Sequence, residues 1–92
     1  MSGLAPRRIV TIVNKRGLHA RAAAKFVKLA ATFAADVTVA RNGTGVSGRS
    51  IMGLMMLAAG PGTELAVSAD GADAAAAVAA LVRLVEAGFD ED

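Results

Sequence analysis

Apolar residues in this chain fall into short alternating runs and longer helical stripes, and their order predicts the fold. Arg8-Ile9-Val10-Thr11-Ile12-Val13 is short and β-branched, which predicts a first strand. Gly17 breaks the run, and Ala20–Phe33 reads as a helix. Its polar residues Arg21, Lys25, Lys28 and Thr32 make one solvent stripe, while Ala23, Phe26, Val27, Ala30 and Phe33 form a face suited to packing on a sheet. Val37–Arg41 is a second strand. Asn42-Gly43 favours the positive φ angles of a type I′ turn, so Thr44–Gly48 is expected to fold back as a hairpin partner. Ser50 is a good N-cap for a short, almost wholly apolar helix over Ile51–Leu57, which Gly60-Pro61-Gly62 ends. Thr63–Ala69 alternates as a fourth strand. Asp70-Gly71 then leads into a last helix, Ala72–Ala87, with Ala74, Val78, Leu81 and Val85 on one face and Gly88 as its stop. The economical packing of this βαββαβα order is an α+β open-faced sandwich, a four-stranded antiparallel sheet covered on one face by three helices.

Ninety-two residues make one domain, expected to span 1–92 with 1–7 as a flexible lead and 88–92 as a tail. Alanine supplies much of the 54% apolar content, and the only aromatics are Phe26, Phe33 and Phe89, so the core is small and aliphatic. With no cysteine and one histidine, neither a disulfide nor a zinc site is expected, and no cofactor is implied. Met1–Pro6 carries no secretory pattern. The longest apolar runs, Ile51–Ala59 and Ala74–Val82, are too short to cross a bilayer. A cytoplasmic protein with no membrane insertion is expected.

The net charge of +2 conceals an asymmetry. Residues 1–49 hold nine Lys/Arg and one acid, Asp36, whereas residues 50–92 hold one Arg and seven acids. Lys15, Arg16, Arg21, Lys25 and Lys28 cluster around the single histidine, His19, and favour an acidic or phosphorylated partner. For Lys25 and Lys28 taken alone, a solvated helix face is the simpler account. His19 lies where a helix begins, beside unpaired backbone N–H groups and the positive end of the helix dipole. Composition alone favours an ordinary surface histidine. A neutral imidazole so placed, with Arg21 two residues on, can also hold a phosphoryl group covalently.

Other function classes fit less well. Nucleic-acid-binding sheets usually offer stacking aromatics, and the chain has neither Tyr nor Trp, so no nucleic-acid partner is expected. A hydrolase using His19 as base needs a nucleophile and an orienting acid. The one acid before Ser50 is Asp36, and no triad-like set is evident. A docking module with a silent His19 is the stronger competitor.

Two blocks narrow the choice. Gly17-Leu18-His19-Ala20-Arg21, followed by Ala23-Ala24-Lys25-Phe26-Val27, and Gly48-Arg49-Ser50-Ile51-Met52-Gly53-Leu54-Met55-Met56-Leu57-Ala58 resemble the histidine-containing phosphocarrier (HPr) family of the bacterial phosphotransferase system. The resemblance runs from about Ile9 to Leu84. It implies a carrier, itself not an enzyme, that takes a phosphoryl group on His19 from Enzyme I, charged by phosphoenolpyruvate, and passes it to EIIA-type proteins. Arg21 and the backbone at Ala20 would hold the phosphoryl oxygens, with Arg21 shifting position between states. Ser50 matches the serine phosphorylated by HPr kinase/phosphorylase in many members. By the same resemblance Ile51, Met52 and Met55 would form the apolar centre of the docking surface, ringed by Arg21, Lys25, Lys28 and Arg49. The methionines suit a patch that fits several partners, while Leu54 and Leu57 read as core. The family expectation is a monomer.

The sequence departs from the family pattern at Ala22, where proline usually follows the active-site arginine. The helix is expected to survive, with a looser first turn. The same carrier chemistry serves sugar transport or a regulatory phosphorelay, and Ser50 with the missing proline leans toward the relay. The alternative is a regulatory docking module of that nitrogen or carbon relay with no sugar-transport role.

Overall fold

A computed structural model describes residues 5–91. The elements are β1 (Arg7–Thr11), α1 (Ala20–Ala30), β2 (Asp36–Arg41), β3 (Thr44–Ser47), α2 (Ile51–Met56), β4 (Glu64–Asp70) and α3 (Ala74–Glu86), followed by one 3₁₀ turn over Gly88–Asp90. The strands form a single antiparallel sheet in the order β1-β4-β2-β3. This is the expected open-faced sandwich.

Period-two alternation decides which face is covered. Val10, Ile12, Val37, Val39, Leu65, Val67 and Ala69 point into the core, whereas Ile9, Thr11, Thr38 and Ser47 are exposed. Register places Val10 opposite Leu65 and Val67 opposite Val39, so the inner faces of three strands merge. Over them α3 packs on β4, β1 and β2, while α1 lies between α2 and α3. The helices come close because their contact stripes are small: Ala22, Ala23, Ala30, Ala74 and Ala77 are all buried. Phe26, Ile12, Leu54, Leu65, Leu81 and Phe89 fill the interior, each large side chain contributing roughly 1.5–3 kcal/mol by leaving water.

Several boundaries differ from expectation for local reasons. α1 stops at Ala30 rather than Phe33. There the backbone tightens, Thr32 N–H donating to Leu29 O and Phe33 N–H to Ala30 O, and the Thr32 hydroxyl also donates to Leu29 O. α3 begins at Ala74 rather than Ala72. Asp73 at its N-cap does not cap that helix; its carboxylate accepts from the N–H groups of Ala34 and Ala35, both at 2.8 Å. These bonds, the Ala34 one foremost, hold the Asp73 carboxyl below its ordinary value against desolvation. Asn42 and Gly43 have φ of 51° and 83°, as a type I′ turn requires.

The ends also depart from expectation. Residues 1–4 lie outside the described residues. Of the expected flexible lead, Pro6 O accepts from Ala69 N–H and Arg7 pairs with Ser68, so the lead is stitched to β4 at its inner end. The segment 88–92, expected as a tail, buries Phe89 completely where its 3₁₀ turn packs on α3 and α1. Asp92 lies outside the described residues.

Candidate functional site

The loop from Asn14 to Leu18 sets the site. Gly17 adopts φ +64° and lies so close to residues 59 and 60 that an added Cβ would stand 2.4 Å from Ala59 O. Leu18 N–H donates to that same oxygen at 2.9 Å, and the Leu18 side chain is buried. The chain is thereby clamped just before His19, which is the N-cap of α1. Its backbone is extended (φ −77°, ψ 179°), its carbonyl takes the first helical bond from Ala23 N–H, and its side chain makes no capping bond. Among the described residues the first N–H groups of α1 therefore have no side-chain cap and are open to an anion. Ala22, at the position where proline is usual, is fully buried and the helix is regular from Ala20.

His19 is half-buried and does not stand alone. Its Nε2 meets Glu91 Oε2 at 2.5 Å, an imidazole–carboxylate pair closing 72 residues of chain. Buried Asn14 holds the other carboxylate oxygen: Nδ2 donates to Glu91 Oε1 at 2.9 Å and to Gly17 O at 2.8 Å. Asn14 Oδ1 is buried without a partner among the described residues. Lys25 Nζ donates to Phe89 O at 2.6 Å. The segment these bonds capture is strained, since Phe89 and Asp90 follow Gly88 with φ of 57° and 60°. A non-glycine residue in that region costs roughly 1–2 kcal/mol, so packing and hydrogen bonds have to over-determine the turn.

Lys15, Arg16, Arg21 and Lys25 line an open groove of about 400 Å³ beside Asp90 and Glu91. Lys25 and Lys28 meet again along an adjoining shallow groove with Leu29, Thr32, Leu84 and Asp90. Lys25 is thus bonded to backbone rather than merely solvated, which corrects the simple solvent-face account of that residue.

The second block lies on α2, which packs against α1. Ser50 is its N-cap, and the hydroxyl accepts from Gly53 N–H at 2.9 Å. Leu54 and Leu57 are buried, while Ile51, Met52 and Met55 are exposed. Met56 is 79% exposed, more than any of these, and belongs to the same patch although the sequence did not single it out. The Arg49 guanidinium donates to Phe33 O at 2.8 Å, so its position is set by the turn that follows α1. Among the described residues no cluster of three or more acidic or histidine side chains is placed to hold a metal ion.

Glu91 and Asn14 are the members of the site that sequence reasoning missed. With Nε2 engaged by Glu91, Nδ1 is the ring nitrogen left free, since it makes no hydrogen bond among the described residues. The His19 bond, aided by Asn14 and the charges of His19 and Lys25, holds the Glu91 carboxyl below the usual 4.5 despite partial desolvation. A depressed folded-state value means that ionised Glu91 supports the closed segment at pH above about 4.5. That support fades as pH falls through the lower, folded value. Lys15, Arg16, Arg21, Lys25 and Asp90 face the same groove. Carboxyl NMR titration should therefore place Glu91 below 4.5, with Phe89 ring shifts following the same curve; a midpoint at or above the ordinary value would contradict the pairing.

Fold and site together define a small open-faced sandwich that carries one imidazole at a helix start, bonded to Glu91 at the edge of a basic groove. The family described as PTS HPr component phosphorylation site matches residues 6–87. Phosphocarrier protein HPr of Neisseria meningitidis serogroup A is 50% identical over 82 residues, covering 89% of this chain and 92% of that protein. Phosphocarrier protein NPr of Shewanella violacea is 46% identical over 84 residues, covering 91% and 92%. A crystal structure of HPr from Thermoanaerobacter tengcongensis superposes with a TM-score of 0.90 at 40% identity, covering 95% of this chain and 98% of that one. The chain belongs to the HPr family of the phosphotransferase system and is a phosphocarrier protein, not an enzyme in its own right. No helix among the described residues is long and apolar enough to cross a membrane.

Proposed function

We propose that His19 is the phosphoryl acceptor of this carrier, receiving the group from phosphorylated Enzyme I and delivering it to EIIA-type proteins. The observation that carries this reading is the placement of His19 at an uncapped helix N-terminus beside a groove lined by Lys15, Arg16, Arg21 and Lys25. Arg21 and the backbone N–H groups at Ala20 and Arg21 neutralise the phosphoryl oxygens; the groove's net positive charge favours an anion in transit. Ile51, Met52, Met55 and Met56 form the apolar centre of the docking surface, with Arg49, Lys25 and Lys28 at its rim. The protein acts as a single cytoplasmic domain over 1–92. The test is direct: phosphoenolpyruvate, Enzyme I and this protein yield an acid-labile phosphoprotein, whereas no label would favour a docking module with a silent histidine.

Ser50 is the regulatory site in this reading, a substrate for a kinase of the HPr kinase/phosphorylase type. A negative charge at the start of α2 stands beside the apolar docking patch and repels an acidic partner, yet is welcome at a helix N-terminus. Aspartate is also as good an N-cap as serine. Ser50→Asp should therefore slow phosphorylation of His19 by Enzyme I while the melting temperature scarcely moves. An unchanged transfer rate would remove Ser50 from regulation. Ser50 in its Arg49-Ser50-Ile51-Met52-Gly53 setting, together with Ala22 in place of the usual proline, leans this reading toward the regulatory phosphorelay.

A further inference from the structure

We propose that Glu91 is a positioning residue for phosphoryl transfer, a carboxylate brought from the far end of the fold to fix the His19 ring and balance the charge it acquires. The proposal rests on His19 being the acceptor. Its support is geometric. Glu91 Oε2 engages Nε2, Asn14 Nδ2 holds Oε1, buried Phe89 anchors the segment, and Lys25 ties down the Phe89 carbonyl. An acceptor at Nε2 selects the tautomer whose proton is on Nε2 and whose lone pair is on Nδ1.

The transfer then balances without a proton leaving the ring. The Nδ1 lone pair forms the new N–P bond as the donor's bond to phosphorus breaks, its electron pair staying on the donor. The ring, still protonated at Nε2, becomes cationic, and the Glu91 carboxylate already in contact compensates that charge. On delivery the same steps run backward: the N–P electrons return to Nδ1 and the ring is neutral again. The pair thus assists both directions without making a bond to phosphorus. That suits a carrier, which gains nothing from a trapped intermediate.

Glu91→Ala in the full chain should lower the second-order rate constant for transfer from phosphorylated Enzyme I by roughly ten- to a hundredfold, the size of effect seen when a metal-bound histidine loses its outer hydrogen-bond partner. Nitrogen-15 NMR of the unphosphorylated ring should show the single Nε2–H tautomer of the parent become a mixture. Glu91→Gln keeps an acceptor oxygen but not the charge, so it should hold the tautomer and still transfer slowly. A transfer rate within twofold of the parent, or faster, in Glu91→Ala overturns the proposal. So does a ring tautomer unmoved by that change, whatever the transfer assay gives. Failure of the acceptor reading looks different: the parent itself takes no label on His19, with the ring spectrum still free to respond to Glu91.

Discussion

Substitution of His19 by alanine should reduce phosphoryl uptake from phosphoenolpyruvate and Enzyme I to background while leaving a folded protein. The chain has no second histidine and no cysteine, so no other side chain of matching nucleophilicity can take over. His19 makes no capping hydrogen bond, so α1 loses no N-terminal partner when the ring is removed. What is lost is the contact to Glu91, and the segment carrying Glu91 retains the Phe89 anchor and the Lys25 bond. Circular dichroism should therefore be unchanged and the melting temperature little altered. The readout is acid-labile label on the protein, which separates a phosphoramidate from the acid-stable ester that Ser50 would carry. Undiminished acid-labile label in His19→Ala would overturn the assignment.

Gly17→Ala should have the largest effect on stability of any single added methyl near the site. Its left-handed conformation alone costs a non-glycine residue about 1–2 kcal/mol. The new Cβ would also stand 2.4 Å from Ala59 O and 2.9 Å from Gly60 Cα, both backbone atoms that no rotamer change can move away. At about 4–8 °C per kcal/mol for a domain of this size, a fall of at least about 4 °C in melting temperature is expected. Gly43→Ala is the control, because Gly43 has φ +83° and a Cβ added there would meet nothing within 4 Å. It bears the conformational penalty without the clash, so the difference between the two melts measures the close approach. Equal melts would show that the loop yields freely. Since the Leu18–Ala59 bond aims the start of α1, phosphoryl uptake by folded Gly17→Ala should fall as well.

Much of this architecture is legible in the sequence. Strand alternation, the Asn42-Gly43 turn, the Ser50 cap and the stop at Gly88 act over a few residues, so local pattern suffices to place them. The same holds for His19 and Arg21, which lie two residues apart at one helix start, and for the buried Leu54 and Leu57 beside exposed Ile51, Met52 and Met55. The misplaced start of α3 has a long-range cause. Asp73 lies inside the helix expected from Ala72, yet its oxygens serve Ala34 and Ala35, 39 and 38 residues away in sequence. The orienting acid of His19 is hidden in the same way. Asp36 is the one acid near it in sequence, whereas the acid that reaches its ring is Glu91.

His19 at a helix start, the basic cluster around it, the βαββαβα order and the apolar second helix are properties of the sequence itself, since period, propensity and short spacing carry them. The pairing of His19 with Glu91, the clamp of Gly17 on residues 59 and 60, and the capture of Lys25 by Phe89 O were decided by tertiary structure alone. Each joins side chains or backbone from distant segments, and no local pattern records which long-range contact forms. Burial of Phe89 in the shared core draws Gly88–Glu91 across the start of α1, and that packing turns an isolated imidazole into one with a partner.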